Sequence, residues 1–366
     1  GYDALVVTGA ASEPVMIVID DEVSIQPATD LWGKDILETT EAVWATLGRD
    51  WQSLVIGPPG EGRRNIAGIF NETRALARGG VGAVMGSKRL KAIAVRGTGK
   101  AEIADKTELD RLRKAFIQEM KEMGGFAELL MKYGTCGLTS GLVASGATPV
   151  KNWRYTGTQS FANLEKIGDP DTVIQYQSRK YGCANCPIAC GGIFNVTGGK
   201  YPVGETHKPE YETIGAFGTM CMCDDLESIV KLNEMCNRSG LDTISAGTAL
   251  AFAMECFEMG LINEDHTGGM DLSFGNRLNA LELVHQMAAG EGFGRIIGQG
   301  GRKKKAIFAA EFDADAAVMA DIGMEAKGLE FSEYMTKESL AQQGGYGLAL
   351  KGPQHDEAWL IFLDMV

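Results

Sequence analysis

Residues 181–213 read YGCANCPIACGGIFNVTGGKYPVGETHKPEYET. Three cysteines, Cys183, Cys186 and Cys190, stand at CxxCxxxC spacing, and a compact acidic segment follows. Thiolates two and three residues apart can converge on one soft centre when the chain between them turns tightly, as Gly182, Pro187, Gly191 and Gly192 allow. Spacing alone leaves two occupants open: an iron-sulfur cluster, or a zinc ion with His207 as a fourth ligand. Three metal-free thiols are disfavoured, because free cysteines rarely cluster so closely.

Outward from this stretch, a chain of 366 residues has room for two or three domains. Its formal net charge of −13 argues against a nucleic-acid or anionic-membrane partner. The basic run Arg302 to Lys305 reads as a solvated helix start. Eight cysteines, no signal peptide and no apolar run of spanning length point to a reducing, cytoplasmic setting without membrane insertion, where clustered thiols bind metal. The first residues read as strands already in mid-sheet, and the last, AWLIFLDMV, stop inside an apolar run, so truncation at both ends is expected.

Tyr2–Val7 and Val15–Ile19 carry β-branched runs that suggest a hairpin. A helical period over Ile36–Leu47 is followed by a short strand and a turn at Gly57, Pro58, Pro59 and Gly60. Between Arg78 and Gly97, Gly79, Gly80, Gly82 and Gly86 let backbone amides approach an anion while Arg78, Lys88 and Lys91 supply charge, which fits a phosphate-bearing ligand. The glycine spacing is neither GxGxxG nor a Walker loop. Thr107 with Asp110 is expected to cap a helix bearing Leu109, Leu112, Phe116 and Met120, and a further helix over Phe126–Tyr133 stops at Gly134. Asp224–Asn237, Thr243–Met259 and Leu278–Ala289 read as helices closed near Gly240, Gly260 and Gly290. Cys136, Cys236 and Cys256 read as core thiols.

Four blocks carry a resemblance: RGGVGAVMGSKRLKAIAVRG from Arg78, CANCPIAC from Cys183, PEYET from Pro209, and GLDTISAGTALAFAMECFEMGLI from Gly240. Together they resemble the aldehyde ferredoxin oxidoreductase family, whose members carry tungsten on two pterins, a tungsten-bis(molybdopterin), beside a 4Fe-4S cluster. The resemblance implies a multidomain α+β fold. Residues 1–101 would complete a β-rich pterin-supporting N-terminal domain, 102–316 a mainly α-helical cluster and pterin domain, and 317–366 the start of a third, helical one. It also implies roles. Cys183, Cys186 and Cys190 would ligate the cluster, its fourth ligand lying beyond Val366 and Cys221 and Cys223 being weaker candidates. Arg78, Gly79, Gly80 and Lys88 would cradle pterin.

NRSGLDT, Asn237 to Thr243, resembles the family's DxxGL(C/D)x pterin motif, so Gly240, Leu241, Asp242 and Thr243 match while Asn237 departs from an acid. Glu212 would accept a proton beside the metal, with Tyr211 its donor neighbour, although Thr197 to Val203 inserts residues before it. No ExxH bridging site is evident in Leu226–Cys236. LKGPQHDEAW, which places His355, is similar to the catalytic subunit of class II benzoyl-CoA reductases. These three departures lean the expectation towards reductive dearomatisation of an aryl-CoA thioester, with aldehyde oxidation as the alternative and ferredoxin or an iron-sulfur subunit as electron partner. A zinc-structured binding protein without redox activity is the reading from another class.

Overall fold

The computed structural model describes residues 4–72, 74–122, 124–337, 339–358 and 360. Six strands form the first sheet: β1 (Val15–Ile19), β2 (Val23–Pro27), β3 (Gln52–Val55), β4 (Ile69–Asn71), β5 (Arg74–Leu76) and β6 (Leu90–Val95). Their order is β2-β1-β6-β3-β4-β5, with β1 parallel to β6 and the other neighbours antiparallel. Strand alternation feeds two cores. Met16 and Val18 pack with Val43 and Trp51 under the helix Ile36–Leu47, while Ile17 and Ile19 join Ile56 and Met85 under the helix Val81–Ser87. The first of these helices has the expected bounds because Asp35 and Glu38 form a reciprocal capping box.

Three local expectations are corrected. The hairpin pairs Val15–Ile19 with Val23–Pro27, whereas residues 4–7 form no strand and 1–3 lie outside the described residues. Thr107 and Asp110 do not form the cap of the helix Lys106–Glu122; Asp105 caps it, accepting from the Glu108 amide at 2.9 Å. Lys91 is fully buried and spends its charge on Glu61 at 2.5 Å, inside the sheet region, so it is not available to an anionic ligand.

The second region follows through the short pair β7 (Pro149–Val150) and β8 (Tyr155–Thr156), then a meander of β9 (Gln177–Tyr181), β10 (Gly191–Val196) and β11 (Gly204–His207). At its centre lies the helix Thr243–Glu258, buried continuously from Ile244 to Cys256. A helix rich in alanine and glycine can be enclosed on every side because neighbours approach its backbone closely, and at Gly247 an added Cβ would collide with Ala216. The helices Leu226–Ser239, Arg277–Ala289 and Gly301–Glu311 complete this core, followed by the pair β12 (Glu325–Ala326) and β13 (Leu329–Glu330). The basic start of Gly301–Glu311 is not wholly solvated: Lys304 is buried, 3.6 Å from Glu330 Oε1 and over the Phe252 ring. No helix among the described residues is long and apolar enough to cross a membrane.

The two regions meet on the turn that closes Leu226–Ser239. Gly240 adopts the left-handed conformation at its C-cap, Ala67 bridges Leu241, and the Gly68 amide donates to the Gly240 carbonyl at 3.0 Å. The Asp242 amide donates to Ile66 at 2.9 Å. A Cβ at Gly57 would run into the Ser239 carbonyl, so backbone meets backbone at this seam.

Candidate active site

The PEYET segment enters the core as one helical turn, Tyr211–Ile214, that runs directly into a π turn, Gly215–Thr219. Such π turns interrupt regular helix pairing and recur at functional sites. Here the interruption sits one turn after Glu212. Glu212 is 8% exposed, and its Oε2 accepts the Glu333 amide at 3.0 Å. Its Oε1 lies 3.0 Å from His355 Nδ1 but makes no aligned hydrogen bond and has no other partner among the described residues. Burial pushes the Glu212 carboxyl above its ordinary range, opposed by His355, the Glu333 amide and Arg78.

His355 arrives on a segment tied back by the Ser332 amide, which donates to the Pro353 carbonyl at 3.0 Å. Its Nδ1 faces two oxygens, Glu212 Oε1 at 3.0 Å and Ser332 Oγ at 3.1 Å, while Nε2 lies 3.2 Å from Asp356 Oδ1. The imidazole therefore spans from a buried carboxyl to an acid whose side chain is 65% exposed. Tyr211 does not face Glu212. Its hydroxyl donates to the Glu333 carbonyl at 2.5 Å and lies 2.9 Å from Thr148 Oγ1, and full burial holds the phenol neutral. In that position Tyr211 anchors the segment that orients Glu212.

The expected pterin residues separate into two groups. Arg78 reaches the site from the sheet region: Nε pairs with Asp242 Oδ2 at 3.3 Å, Nη1 donates to Ser332 Oγ at 2.8 Å, and Nη2 donates to the Glu330 carbonyl at 2.5 Å. Asp242 also caps Thr243–Glu258 through the Ile244 and Ser245 amides, and Thr243 Oγ1 accepts from Thr213 at 2.9 Å. Gly79 and Gly80 follow in left-handed conformation, Gly79 beside open space. Gly240 and Leu241 lie two residues and one residue before Asp242 at the seam. Lys88 stands apart, its Nζ on the Gly9 carbonyl at 3.0 Å, and Asn237 lines a separate cleft of about 520 Å³ with His207 and Arg238.

Cys183, Cys186 and Cys190 share the loop between β9 and β10, the first two exposed and the third half-buried. Asn185 and Ala189 turn this loop through positive φ. The amides of Ala189 and Ile188 hydrogen-bond the Cys186 sulfur and lower its pKa, which favours the ligating thiolate. Arg74, from β5, lies over the Tyr181 ring at 5.2 Å, and its guanidinium is held charged by Cys183, Cys190 and other groups facing it. The loop thus carries thiolate-favouring donors, yet among the described residues no three His, Cys, Asp or Glu side chains are drawn together as a ligand set. His207 instead faces Tyr181, Nδ1 to hydroxyl 3.2 Å. Cys221 and Cys223 are buried, and Cys221 Sγ contacts the Ala216 carbonyl at 3.2 Å.

Open space beside Gly79 and, among the described residues, the orphaned Glu212 Oε1 are features that fit a hydrogen-bonding heterocycle such as a pterin. Ser332 and Glu333 were missed from sequence, although LEFSEYM places two acids inside an apolar run, a pattern that signals buried carboxyls.

Sequence models for the aldehyde ferredoxin oxidoreductase family match residues 1–97 as its N-terminal domain and 111–365 as its domains 2 and 3. The chain is 36% identical over 365 residues to a tungsten-containing aldehyde ferredoxin oxidoreductase of Pyrococcus furiosus, covering 99% of this chain and 58% of the relative. The corresponding protein of Thermococcus kodakarensis is 35% identical, with the same coverage. An aliphatic sulfonate oxidoreductase, WOR-like subunit, of Pyrococcus furiosus is 29% identical over 82% of this chain and 50% of its own length. The chain thus spans 58% of the length of the first two relatives. The active-site complex BamBC of benzoyl coenzyme A reductase with 1,5-dienoyl-CoA shares the fold at a TM-score of 0.72 and 24% identity, covering 89% of this chain and 49% of that one.

Proposed function

Because the chain belongs to the aldehyde ferredoxin oxidoreductase family, we propose that it is the site-bearing part of a tungsten-pterin oxidoreductase that converts an aldehyde and water to a carboxylate. The balance is RCHO + H2O → RCOO− + 3 H+ + 2 e−, with a ferredoxin-like carrier taking the electrons one at a time. The observation that carries this reading is the Glu212–His355 pair, 3.0 Å apart at the seam where Arg78 meets Asp242. The pterin-bound metal, when present, supplies the two-electron acceptor, and the thiolates of Cys183, Cys186 and Cys190 would hold the cluster that relays those electrons. Gly79, Gly80, Asp242 and Thr243 would hold the pterins. Arg78, largely committed to protein partners, fixes Asp242 in place.

Proton handling falls to this chain's own side chains. Glu212 Oε1, buried and unpartnered, accepts the proton released as water adds to the carbonyl carbon, and its raised pKa makes it a stronger base than a solvated carboxylate. His355 receives that proton at Nδ1 and releases one from Nε2 towards Asp356 and solvent.

The relatives rank aldehyde oxidation ahead of aryl-CoA reduction, since the likeness to benzoyl-CoA reductase extends to fold. The departures behind the aryl-CoA expectation do not reverse that order: Asn237 lines a cleft that Glu212 does not share, and His355 serves proton transfer in either chemistry. The test offers the full-length protein, purified without oxygen, oxidised viologen with a panel of aldehydes and, separately, reduced viologen with benzoyl-CoA. Aldehyde-dependent viologen reduction is expected; turnover of the thioester without response to any aldehyde would overturn the proposal.

A further inference from the structure

Glu333 is a carboxyl that the proton route does not use, yet its backbone holds both Glu212, which that route does use, and the neighbouring Tyr211. Its amide donates to Glu212 Oε2 at 3.0 Å and its carbonyl accepts the Tyr211 hydroxyl at 2.5 Å. Its own side chain is fully buried, against Gly215, where an added Cβ would press on Glu333 Cβ and Cγ. Thr248 Oγ1 donates to Oε1 at 2.9 Å, while Oε2 has no partner among the described residues. The nearby guanidinium of Arg78 is engaged by Asp242, Ser332 and two carbonyls.

A carboxylate in this position would be a buried anion with one hydrogen bond and no ion-pair partner, beside Glu212. That is costly, whereas the neutral acid keeps the Thr248 bond and needs only one acceptor for its proton. We propose, resting on the reading of Glu212 as the proton acceptor, that Glu333 is a positioning residue held as a neutral carboxylic acid, so that the single negative charge of the two carboxyls resides on Glu212. Burial and the facing Glu212 both push the Glu333 carboxyl well upward, Asp242 adds to this, and Arg78 and the Thr248 hydroxyl oppose it. His355 faces Glu212 from the other side and favours ionisation there. Two carboxyls with environments of different strength thereby divide the roles of neutral acid and base.

The test is infrared spectroscopy of the full-length holoenzyme across a pH titration, following the carbonyl stretch of a protonated carboxylic acid. The wild type should keep such a band at neutral pH, Glu333→Gln should lose it, and Glu212→Gln should keep it. If Glu333→Gln fails to fold, Thr248→Val answers the same question, because losing the donor to Oε1 should move the band's titration to higher pH. In the pH profile of kcat/KM, the alkaline fall that accompanies Glu333 ionisation should be absent in Glu333→Gln. A neutral-pH spectrum without the band in wild type, a band that survives Glu333→Gln, or a titration unmoved in Thr248→Val would overturn the proposal. The infrared result does not depend on substrate, so failure of aldehyde oxidation and failure of the Glu333 assignment give different outcomes.

Discussion

The surroundings of Glu212 and the loop carrying Cys183, Cys186 and Cys190 hold the two halves of the proposed chemistry, and they are built differently. Around Glu212 the groups are placed by packing: Arg78 is 8% exposed and tied to four protein partners, Tyr211 and Glu333 are enclosed, and the Glu333 amide fixes the carboxylate. The cysteine loop is exposed and its thiols are not drawn together, although its amides already favour a thiolate at Cys186. Proton chemistry needs atoms preset to a fraction of an ångström and so is written into the core. Ligation can draw its final geometry from the bonds to the metal, so the chain needs only spacing, turns and donors.

The contrast can be broken by stability measurements in urea, since a prebuilt buried cluster should depend on its ties and a surface loop should not. Arg78→Ala leaves Asp242 without its cation and removes three further donations that join the two regions. It should cost about 3–5 kcal/mol, the range for uncoupling a buried ion pair; a loss below about 1 kcal/mol would mean the seam is held elsewhere. Gly57→Ala, where the new Cβ meets the Ser239 carbonyl, should cost about 2 kcal/mol or more.

A pH effect of known sign sharpens the comparison. The folded-state pKa values of Glu212 and Glu333 are raised by burial, so the folded chain holds protons that the unfolded chain releases. Their contribution is most favourable below the ordinary carboxyl range and is lost as pH rises through the raised values. Each unit of upward shift is worth about 1.4 kcal/mol. The urea midpoint should therefore fall between pH 5 and pH 8, and fall less in Glu333→Gln; equal slopes would remove Glu333 from the titration. The smallest effect belongs to the loop: Cys186→Ser in metal-free protein should change stability by less than about 0.5 kcal/mol, since the side chain is exposed.

Elements with strong local signals were legible in the sequence. The helical period over Ile36–Leu47, the glycine that closes Leu226–Ser239 and the cysteine spacing act over a few residues, and the two helices fall within two residues of expectation. Glu212, Asp242 and His355 were singled out through the resemblance, and the structure places Glu212 and His355 3.0 Å apart. What stayed hidden depends on partners distant in sequence. Lys304 sits in a basic run that reads as solvent-facing, yet Glu330 and Phe252 bury it. Tyr211 looks like a donor to its neighbour in PEYET, but adjacent residues on a helical turn point apart, and its hydroxyl reaches Glu333 instead. β-branched character near Tyr2–Val7 marks strand propensity, but pairing went to Val23–Pro27, which a tight turn brings alongside β1.

The central claim is that Glu212 moves protons in surroundings that the fold holds ready. Its most direct test is Glu212→Gln in the full-length enzyme, with tungsten content and aldehyde turnover measured on the same sample. The amide keeps the shape and the acceptor for the Glu333 amide but cannot take a proton, so tungsten should stay at the wild-type level while kcat falls by about a hundredfold or more. Wild-type turnover in that variant, or a fall matched by loss of tungsten, would contradict the account.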